Sequence, residues 1–433
     1  MIIRKLLSYL IVPMAVATLI SACSSEPDIE LVEPGVMLRM NLTFGNSGIQ
    51  ASRADLGDQD GYEDPDGAFE EIRTLRIIIL HGEGDTREVE AARLVATSAT
   101  GAPLNDNLEF KVISNEMKTI LLIANEASLP APVSDVATAT EYLDRFIKAA
   151  TPFGDDVMKI FDDWSIQVTG GNTMSQSIFS NIGSLPRLPL TEKFKVQTVQ
   201  TIAKTKSDED MNRSEEIQEV TLFLTRCAPK VSFEFKVDKD APNPPYLGCG
   251  ASVTGVRLSG LTGQQYIFPR DAEYSPSKYV DDKEGYPYFI PAIDSEGNML
   301  TPEQTMVNRF ITSFKAYDPI GGITFDFTDG FSPVEIKSYA GAKAPVRGPI
   351  YIPESMAPQG EQFKVSVQID GGEWLEAQPL DDNILSVNGC DAIARNTHLK
   401  ISITFGATGL TWTAVEAPYN SVELKPNFGL EVK

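Results

Sequence analysis

The chain has 433 residues, of which 42% are hydrophobic, and a mean hydropathy of -0.12; these values are typical of a globular protein with room for more than one core. Its formal net charge of -23 argues against nucleic-acid binding, because a phosphate backbone repels an acidic surface. A surface of this charge favours solubility and opposes premature association.

The first 22 residues have the features of a secretion signal. A charged head and an apolar run from Leu6 to Ile20 are followed directly by Ser21, Ala22 and Cys23. Small residues before a cysteine resemble a bacterial lipobox, which implies a signal peptide over residues 1–22 and a diacylglycerol thioether and palmitate at Cys23. An ordinary signal peptide with a chance cysteine is the alternative. Lipid is the expected anchor, because no other segment approaches the ~20 apolar residues of a membrane-spanning helix.

The stretch from Val36 to Phe44 alternates between apolar and other residues. This period of two predicts a half-buried β-strand. The residues expected to face the core are Val36, Leu38, Met40, Leu42 and Phe44. A glycine and polar run follows, and then Arg53 and Ala54, so a core strand lies just upstream of an exposed basic residue in a loop, where proteases cut readily. We therefore expect a plug strand, residues 36–44, in a groove that another subunit later fills.

The pattern from residue 71 to residue 226 is rich in strands. The runs Ile72–Leu80 and Lys118–Ala124 predict strands, the second one covered on both faces. Thr138 and Glu141 have capping-box spacing and begin the one convincing helix, whose apolar stripe predicts packing over a sheet. These elements predict an N-terminal β-sandwich domain over residues 54–226.

A break at residues 226–229 separates two strand patterns that lie nearly end to end. It contains Pro229, which cannot donate to a strand ladder, so we place a domain boundary there. Alternating segments with Gly, Pro, Asn and Asp between them predict a second β-sandwich over residues 227–433. The expected fold is mainly β, with two antiparallel β-sandwich domains and one or two short helices.

The cysteines other than Cys23 are Cys227, Cys249 and Cys390. Their odd count and wide spacing do not form a disulfide framework, and a buried apolar cysteine is the expected state. Whether any two of them pair is left open.

The C-terminal segment alternates again, which is unusual for a chain end. Its apolar residues of one parity are Val422, Leu424, Phe428, Leu430 and Val432. This segment is either the last strand of the protein's own sheet or a donor strand for a neighbouring subunit. Because Pro426 interrupts it and proline in a central strand loses a hydrogen bond, residues 410–415 are an alternative donor.

Together these motifs resemble the fimbrillins, the type V pilus subunits of Bacteroidia. The resemblance covers essentially the whole exported chain and depends on the order of the lipobox cysteine, the alternating strand, and Arg53 followed by Ala54. Later segments that resemble the family are IRTLRIIIL, MKTILLIANEAS, LTRCAPKVSFEF, GPIYIPESMAP and ARNTHLKISI.

The resemblance implies two transthyretin-like β-sandwich domains in an outer-membrane lipoprotein. An arginine-specific protease would cut between Arg53 and Ala54, removing a lipidated propeptide, residues 23–53, that contains the plug strand. The donor strand of another fimbrial subunit would then enter the emptied groove. The expected function is that of a structural fimbrial subunit at the cell surface that supports adhesion, and a tip or accessory subunit is also open.

The sequence shows no constellation that predicts catalysis. His81 and His398 are far apart, and nucleophile-elbow and phosphate-loop motifs are missing. We therefore expect no enzyme, no metal site and no cofactor. The alternative function is a monomeric surface lipoprotein that binds a glycan or host ligand through loop aromatics. Its candidate contacts are Tyr279, Tyr286, Tyr288 and Phe289.

Overall fold

The computed structural model describes most of the strand-rich parts of the chain. The described residues are 35–44, 69–96, 108–149, 152–170, 187–199, 217–238, 251–268, 323–336, 346–356, 362–380 and 397–417, with parts of 173–182 and 386–395. Within them the fold is mainly β with two α-helices, which confirms the predicted fold class.

The elements of the N-terminal half, residues 35–226, begin with the predicted plug strand. They are β1 (Gly35–Phe44), β2 (Thr74–His81), β3 (Glu88–Ala96), β4 (Glu109–Ile113), β5 (Met117–Ala124), α1 (Ala139–Lys148), α2 (Asp155–Asp163), β6 (Ser165–Gln167), β7 (Leu190–Gln197) and β8 (Ile217–Arg226). Helix α1 starts as its capping-box spacing predicts: the Thr138 hydroxyl accepts a hydrogen bond from the Glu141 amide at 3.1 Å.

Seven strands of this half form one sheet in the order β3-β2-β5-β7-β8-β1-β4. Its two end strands approach each other, so the sheet curls into a half-barrel. Arg93 of β3 donates to the Glu109 carbonyl of β4 at 3.2 Å, and its guanidinium carbon lies 4.7 Å from the centre of the Phe110 ring. The Ile113 amide donates to the carboxylate of Glu90 on β3 at 2.5 Å.

The two faces of the half-barrel bury different cores. The inner face, to which every strand of the sheet contributes, encloses one hydrophobic cluster that we call the inner core. On the outer face, Ile78 and Leu80 of β2 and Leu121 and Ile123 of β5 pack with the helices and with the core of the C-terminal half. β2 and β5 are therefore covered on both faces, as the sequence of β5 predicts.

The C-terminal half, residues 230–417, consists of strands in the part that the structure describes. They are β9 (Lys230–Val237), β10 (Ser252–Leu261), β11 (Gln264–Tyr266), β12 (Ile323–Asp326), β13 (Val334–Glu335), β14 (Val346–Tyr351), β15 (Ser355–Met356), β16 (Lys364–Ile369), β17 (Trp374–Pro379), β18 (Ser386–Val387), β19 (Cys390–Ile393), β20 (His398–Phe405) and β21 (Leu410–Ala417).

The large sheet of this half has nine strands. Its order is β12-β10-β16-β17-β21-β20-β9-β14, and β13 pairs with β10. A small sheet of β15, β19 and β18 lies beside it, and β6 pairs with β11 across the two halves. Most neighbouring strands are antiparallel; among the described strands, β1 with β8, β9 with β20, and β17 with β21 run parallel.

Residues 227–229, where the sequence predicts a boundary, lie between the last strand of the half-barrel and the first strand of the nine-stranded sheet. Neither α-helix in the described residues is long and apolar enough to span a membrane.

Candidate strand-exchange groove

Strand β1 is an inner strand of the half-barrel, with a partner on each side. It pairs antiparallel with β4 from Gly35 opposite Ile113 to Arg39 opposite Glu109. The Met40 amide extends this ladder by donating to the Leu108 carbonyl at 2.9 Å. On the other side β1 runs parallel to β8 over eight residues, Met37–Phe44. The strand expected from the alternating sequence is thus present, and its hydrogen bonds connect two strands distant in the chain.

The apolar side chains of β1 point into the inner core. Val36 is 1% exposed, Leu38 0%, Met40 4% and Leu42 8%. On the flanking strands the same cluster includes Phe110 and Val112 of β4 and Val220, Leu222 and Leu224 of β8. Four of the five predicted inward residues are therefore buried as expected, and the side chain of the fifth, Phe44, lies outside the described residues.

Arg39 lies on the opposite, outward face of β1 and contacts both flanking strands. Its Nε donates to Glu109 Oε1 of β4 at 2.8 Å, and its Nη1 donates to Glu219 Oε1 of β8 at 3.0 Å. The hydrogen bond to Glu109 is the largest cause that raises the pKa of the Arg39 guanidinium, and the bond to Glu219 comes next. One cation therefore holds two carboxylates across the strand.

Strand β8 depends on β1 for most of its ladder. Its pairing with β7 is limited to Leu190 opposite Arg226 and Thr191 opposite Thr225. Nearer its start, the Gln218 side chain accepts from the Val199 amide and donates to the Gln197 carbonyl, each at 2.9 Å. Removal of β1 would leave an acceptor groove, which we define as the space between β8 and β4 above the inner core.

The chain that follows the predicted cleavage site is anchored immediately before β2. Glu70 is buried, and its Oε1 accepts from Lys230 Nζ at 2.9 Å and from the Tyr351 hydroxyl at 2.5 Å. Both partners belong to the C-terminal half. The half-barrel from residue 70 onward is therefore attached to the C-terminal half by contacts that do not involve β1.

A buried ion pair in the C-terminal half was missed by sequence reasoning. Arg395 Nε donates to Glu354 Oε2 at 2.8 Å, and its Nη2 contacts the other carboxylate oxygen. Two further Arg395 bonds reach the carbonyls of Ile267 at 2.9 Å and Tyr266 at 2.8 Å. Both charged residues lie in the late segments that carry the family resemblance, but their pairing cannot be read from spacing alone.

The described cysteine side chain is buried and forms no disulfide. Cys227 is a free thiol at the junction of the two halves, where its Sγ lies 3.3 Å from Thr191 Oγ1. Burial raises the pKa of this thiol to about 11. Cys249 lies outside the described residues, and Cys390 is in β19 but its side chain is outside them.

Several predicted sites lie outside the part of the chain that the structure describes. Cys23, Arg53 and Ala54 lie outside the described residues, as do residues 422–432 and the loop aromatics of residues 279–289. The alternative donor, residues 410–415, is placed: it belongs to β21, which pairs with β20 over eight residues and buries Leu410 and Trp412. Within the described residues, no group of three or more His, Cys, Asp and Glu side chains is arranged to hold a metal ion.

Comparison with known proteins finds similar chains among solved structures. No protein-family model and no curated protein matches the chain. The tip fimbrial protein Mfa3 from Porphyromonas gingivalis, in a C-terminally truncated form, is similar at 10% identity and a TM-score of 0.44, covering 89% of this chain and 100% of that one. A fimbrial assembly protein from Parabacteroides distasonis has 11% identity and a TM-score of 0.36, covering 89% and 97%. Both of these similar structures are described as fimbrial proteins.

Proposed function

We propose that this protein is a structural or adhesion subunit of a fimbria and that it assembles by exchanging β1 for a strand of another subunit. The observation that supports this most directly is the position of β1. It precedes every other described strand, yet it lies between β4 and β8 inside the half-barrel. This role matches the descriptions of the two similar structures.

One cut can free β1, because of where it lies in the chain. The other strands of the half-barrel are followed and preceded by described strands of the same chain, whereas β1 is joined to β2 through residues 45–73, which include Arg53. Cleavage after Arg53 would therefore separate β1 covalently from the rest of the sheet. The anchor at Glu70 would hold the remaining half-barrel to the C-terminal half.

Loss of β1 would strongly favour the binding of a replacement strand. Burial of four apolar side chains of this size contributes roughly 6–12 kcal/mol before the cost of ordering the strand. The emptied groove would also expose unpaired backbone groups on β4 and β8, which is a template for strand addition. A strand with the same alternation from a second subunit can satisfy both.

We infer that residues 422–432 supply the donor strand. The competing candidate, residues 410–415, is engaged within its own sheet through β20, so lending it would dismantle the C-terminal half. A subunit that both receives and gives a strand makes a head-to-tail contact, which extends into a fibre because it need not close.

The remaining parts of the proposal concern export. A lipid at Cys23 would hold the precursor at the outer membrane, and an arginine-specific protease would release the lipidated segment together with β1. The assembled protein would then lie at the cell surface.

The test is treatment of the purified full chain with an arginine-specific protease, with N-terminal sequencing and unheated denaturing gels. After the cut, the wild-type chain should begin at Ala54. It should also form oligomers that resist denaturant without heat and run as ladders of bands on the gel. Arg53→Ala should stay intact between residues 45 and 68 and remain monomeric.

Arg73→Ala is the matched control, since Arg73 lies next to the anchored Glu70 and β2 and pairs with Glu71. This variant should be cut and should form ladders like the wild type. If the cut wild-type chain stays monomeric, strand exchange is wrong, and the monomeric surface-binding function becomes the better explanation.

A further inference from the structure

The acceptor groove keeps two carboxylates after β1 has left. Glu109 belongs to β4 and Glu219 belongs to β8, while the cation between them, Arg39, belongs to β1. Their side chains are 29% and 59% exposed, so the carboxylates flank the outer face of the groove rather than its apolar floor. Cleavage and exchange would remove the cation and leave both acids in place.

Two like charges on strands that flank one gap favour an entering strand with a cation between them. Opposite charges on neighbouring strands stabilise a sheet, and like charges at the same spacing destabilise it. Because these carboxylates are partly solvated, their main effect is on which strand enters and in which register, rather than on total affinity.

The C-terminal segment carries a cation at the matching position. If Val422 takes the place of Val36, then Leu424 takes that of Leu38 and Lys425 takes that of Arg39. Phe428 and Leu430 then replace Leu42 and Phe44, so the apolar parity is kept.

The neighbouring registers of the same parity lose this match. A shift of two residues in one direction places Glu423 between the two carboxylates, and a shift in the other direction places Asn427 there. The first shift adds a third negative charge. The second shift places a neutral side chain there, so no positive charge balances the two carboxylates. Apolar alternation alone does not separate these registers well, because strand register slips in steps of two without changing the buried face.

We propose that Glu109 and Glu219 act together as a charge gate that selects Lys425 of a second copy of this chain and so sets the register of the exchanged strand. The inference depends on the strand exchange proposed above. It assigns a specificity role to two residues that line the groove and contribute nothing to its apolar core.

The test is competition during assembly of the full chain. Synthetic peptides of residues 420–433 are added while the arginine-specific protease acts, and the concentration that halves ladder formation is measured. For the Lys425→Glu peptide this half-inhibitory concentration should be about threefold to tenfold higher than for the wild-type peptide. The Lys433→Glu peptide has the same change in net charge as the Lys425→Glu peptide, but residue 433 lies beyond the paired strand. This control peptide should compete like the wild type.

The acceptor is tested with the full chain carrying Glu109→Gln and Glu219→Gln. Glutamine preserves the size of each side chain and can still accept from Arg39, so the uncut chain should fold. In this double variant the Lys425→Glu and wild-type peptides should compete equally. Because both peptides are compared on the same protein, a general loss of stability cannot imitate this result.

The outcomes separate the gate from the exchange itself. If the cut chain forms no ladders, the proposed function fails and the inference fails with it. If ladders form but the wild-type peptide does not compete, residues 422–432 are not the donor. Equal competition by both peptides on the wild-type chain, or a preference that persists in the double variant, overturns the charge gate while strand exchange stands.

Discussion

The first strands of the two halves, β1 and β9, occupy equivalent places in their sheets. β1 runs parallel to β8 and antiparallel to β4, and β9 runs parallel to β20 and antiparallel to β14. In each case an early strand lies between an antiparallel partner and a parallel partner from later in the same half. The local topology is therefore shared, and other features must decide whether a strand is replaceable.

The two strands differ in how many faces they bury. β1 alternates between buried and half-buried residues, so only one face is covered. β9 is buried on both faces from Lys230 to Phe235. Its apolar side chains pack in the core of the C-terminal half. Its polar face contacts β20, where the Ser232 hydroxyl lies 3.1 Å from His398 Nε2.

The charged contacts follow the same division. Glu234 of β9 is buried, and its carboxylate lies 2.6 Å from Lys236 Nζ and 3.2 Å from Lys400 Nζ. It also accepts a hydrogen bond from the Ser402 hydroxyl at 2.8 Å. Burial acts to raise the pKa of Glu234, but hydrogen bonds from Lys236 and Ser402 outweigh it and lower the pKa overall. Arg39 of β1, by contrast, contacts its two acids at the solvent-facing surface.

The connections to the rest of the chain complete the contrast. β9 follows β8 after three residues that include the buried Cys227, whereas β1 is linked to β2 through residues 45–73 with a candidate cleavage site. Under the proposed strand exchange, the same place in a sheet holds a permanent strand in one half and an exchangeable strand in the other. The difference lies in the second buried face and in the connecting segment.

The largest expected contrast comes from truncating one core side chain in each strand. Phe233→Ala and Leu38→Ala should destabilise the uncut chain by about 3–5 and 2–5 kcal/mol respectively, because each leaves a cavity in a buried core. These values are checked by chemical unfolding. After cleavage and assembly, only Phe233→Ala should still lower the temperature at which the ladders dissociate, since Leu38 leaves with β1. A lower dissociation temperature for Leu38→Ala ladders would show that β1 stays in the fibre.

A second contrast compares the buried ion pair with the surface one. Glu354→Gln leaves the buried Arg395 cation without its counter-charge and should cost about 3–5 kcal/mol in the free energy of unfolding. Arg39→Gln should leave the unfolding midpoint of the uncut chain close to that of the wild type, because the partners of Arg39 are solvated. Chemical unfolding of both variants checks this order. A reversed order would mean that the outward face of β1 contributes more to stability than its exposure indicates.

The smallest expected effect concerns a single hydrogen bond. In the register proposed for the donor, Pro426 takes the place of Met40, whose amide donates to the Leu108 carbonyl at 2.9 Å. Proline has no amide hydrogen, so Pro426→Ala should restore one hydrogen bond and strengthen exchange by about 0.5–1.5 kcal/mol. The greater conformational entropy of the unbound alanine segment offsets part of this gain. Ladder formation at limiting protein concentration is the measurement. Pro418→Ala, upstream of the paired segment, is the control and should not show the gain.

Local features of the fold could be predicted well from sequence. The alternation of Val36 to Phe44 predicted β1 and the face it buries, and the spacing of Thr138 and Glu141 predicted the start of α1. Such features depend on residues a few positions apart, where the period of the side chains is set by the backbone itself. The second helix, α2, was not predicted separately: it has a glycine at its N-cap, which makes no side-chain cap bond.

Partners distant in the chain were not accessible in the same way. Glu219 is 180 residues from Arg39, and Glu354 is 41 residues from Arg395. Nothing in the periodicity of a strand states which neighbour it pairs with, or whether that neighbour is parallel. The charge gate and the buried ion pair therefore emerged only once the strands were in place.

The amino-acid sequence by itself determined that this chain is mainly β, that its early strand buries one face, and that a basic residue follows that strand. Tertiary structure alone decided that the early strand lies between β4 and β8 and that carboxylates from both flanking strands bond to its Arg39. It also decided that residues 410–415 pair with β20 within their own sheet. The physical reason is that side-chain period encodes a face, whereas hydrogen-bond partners are chosen by the closure of the whole sheet.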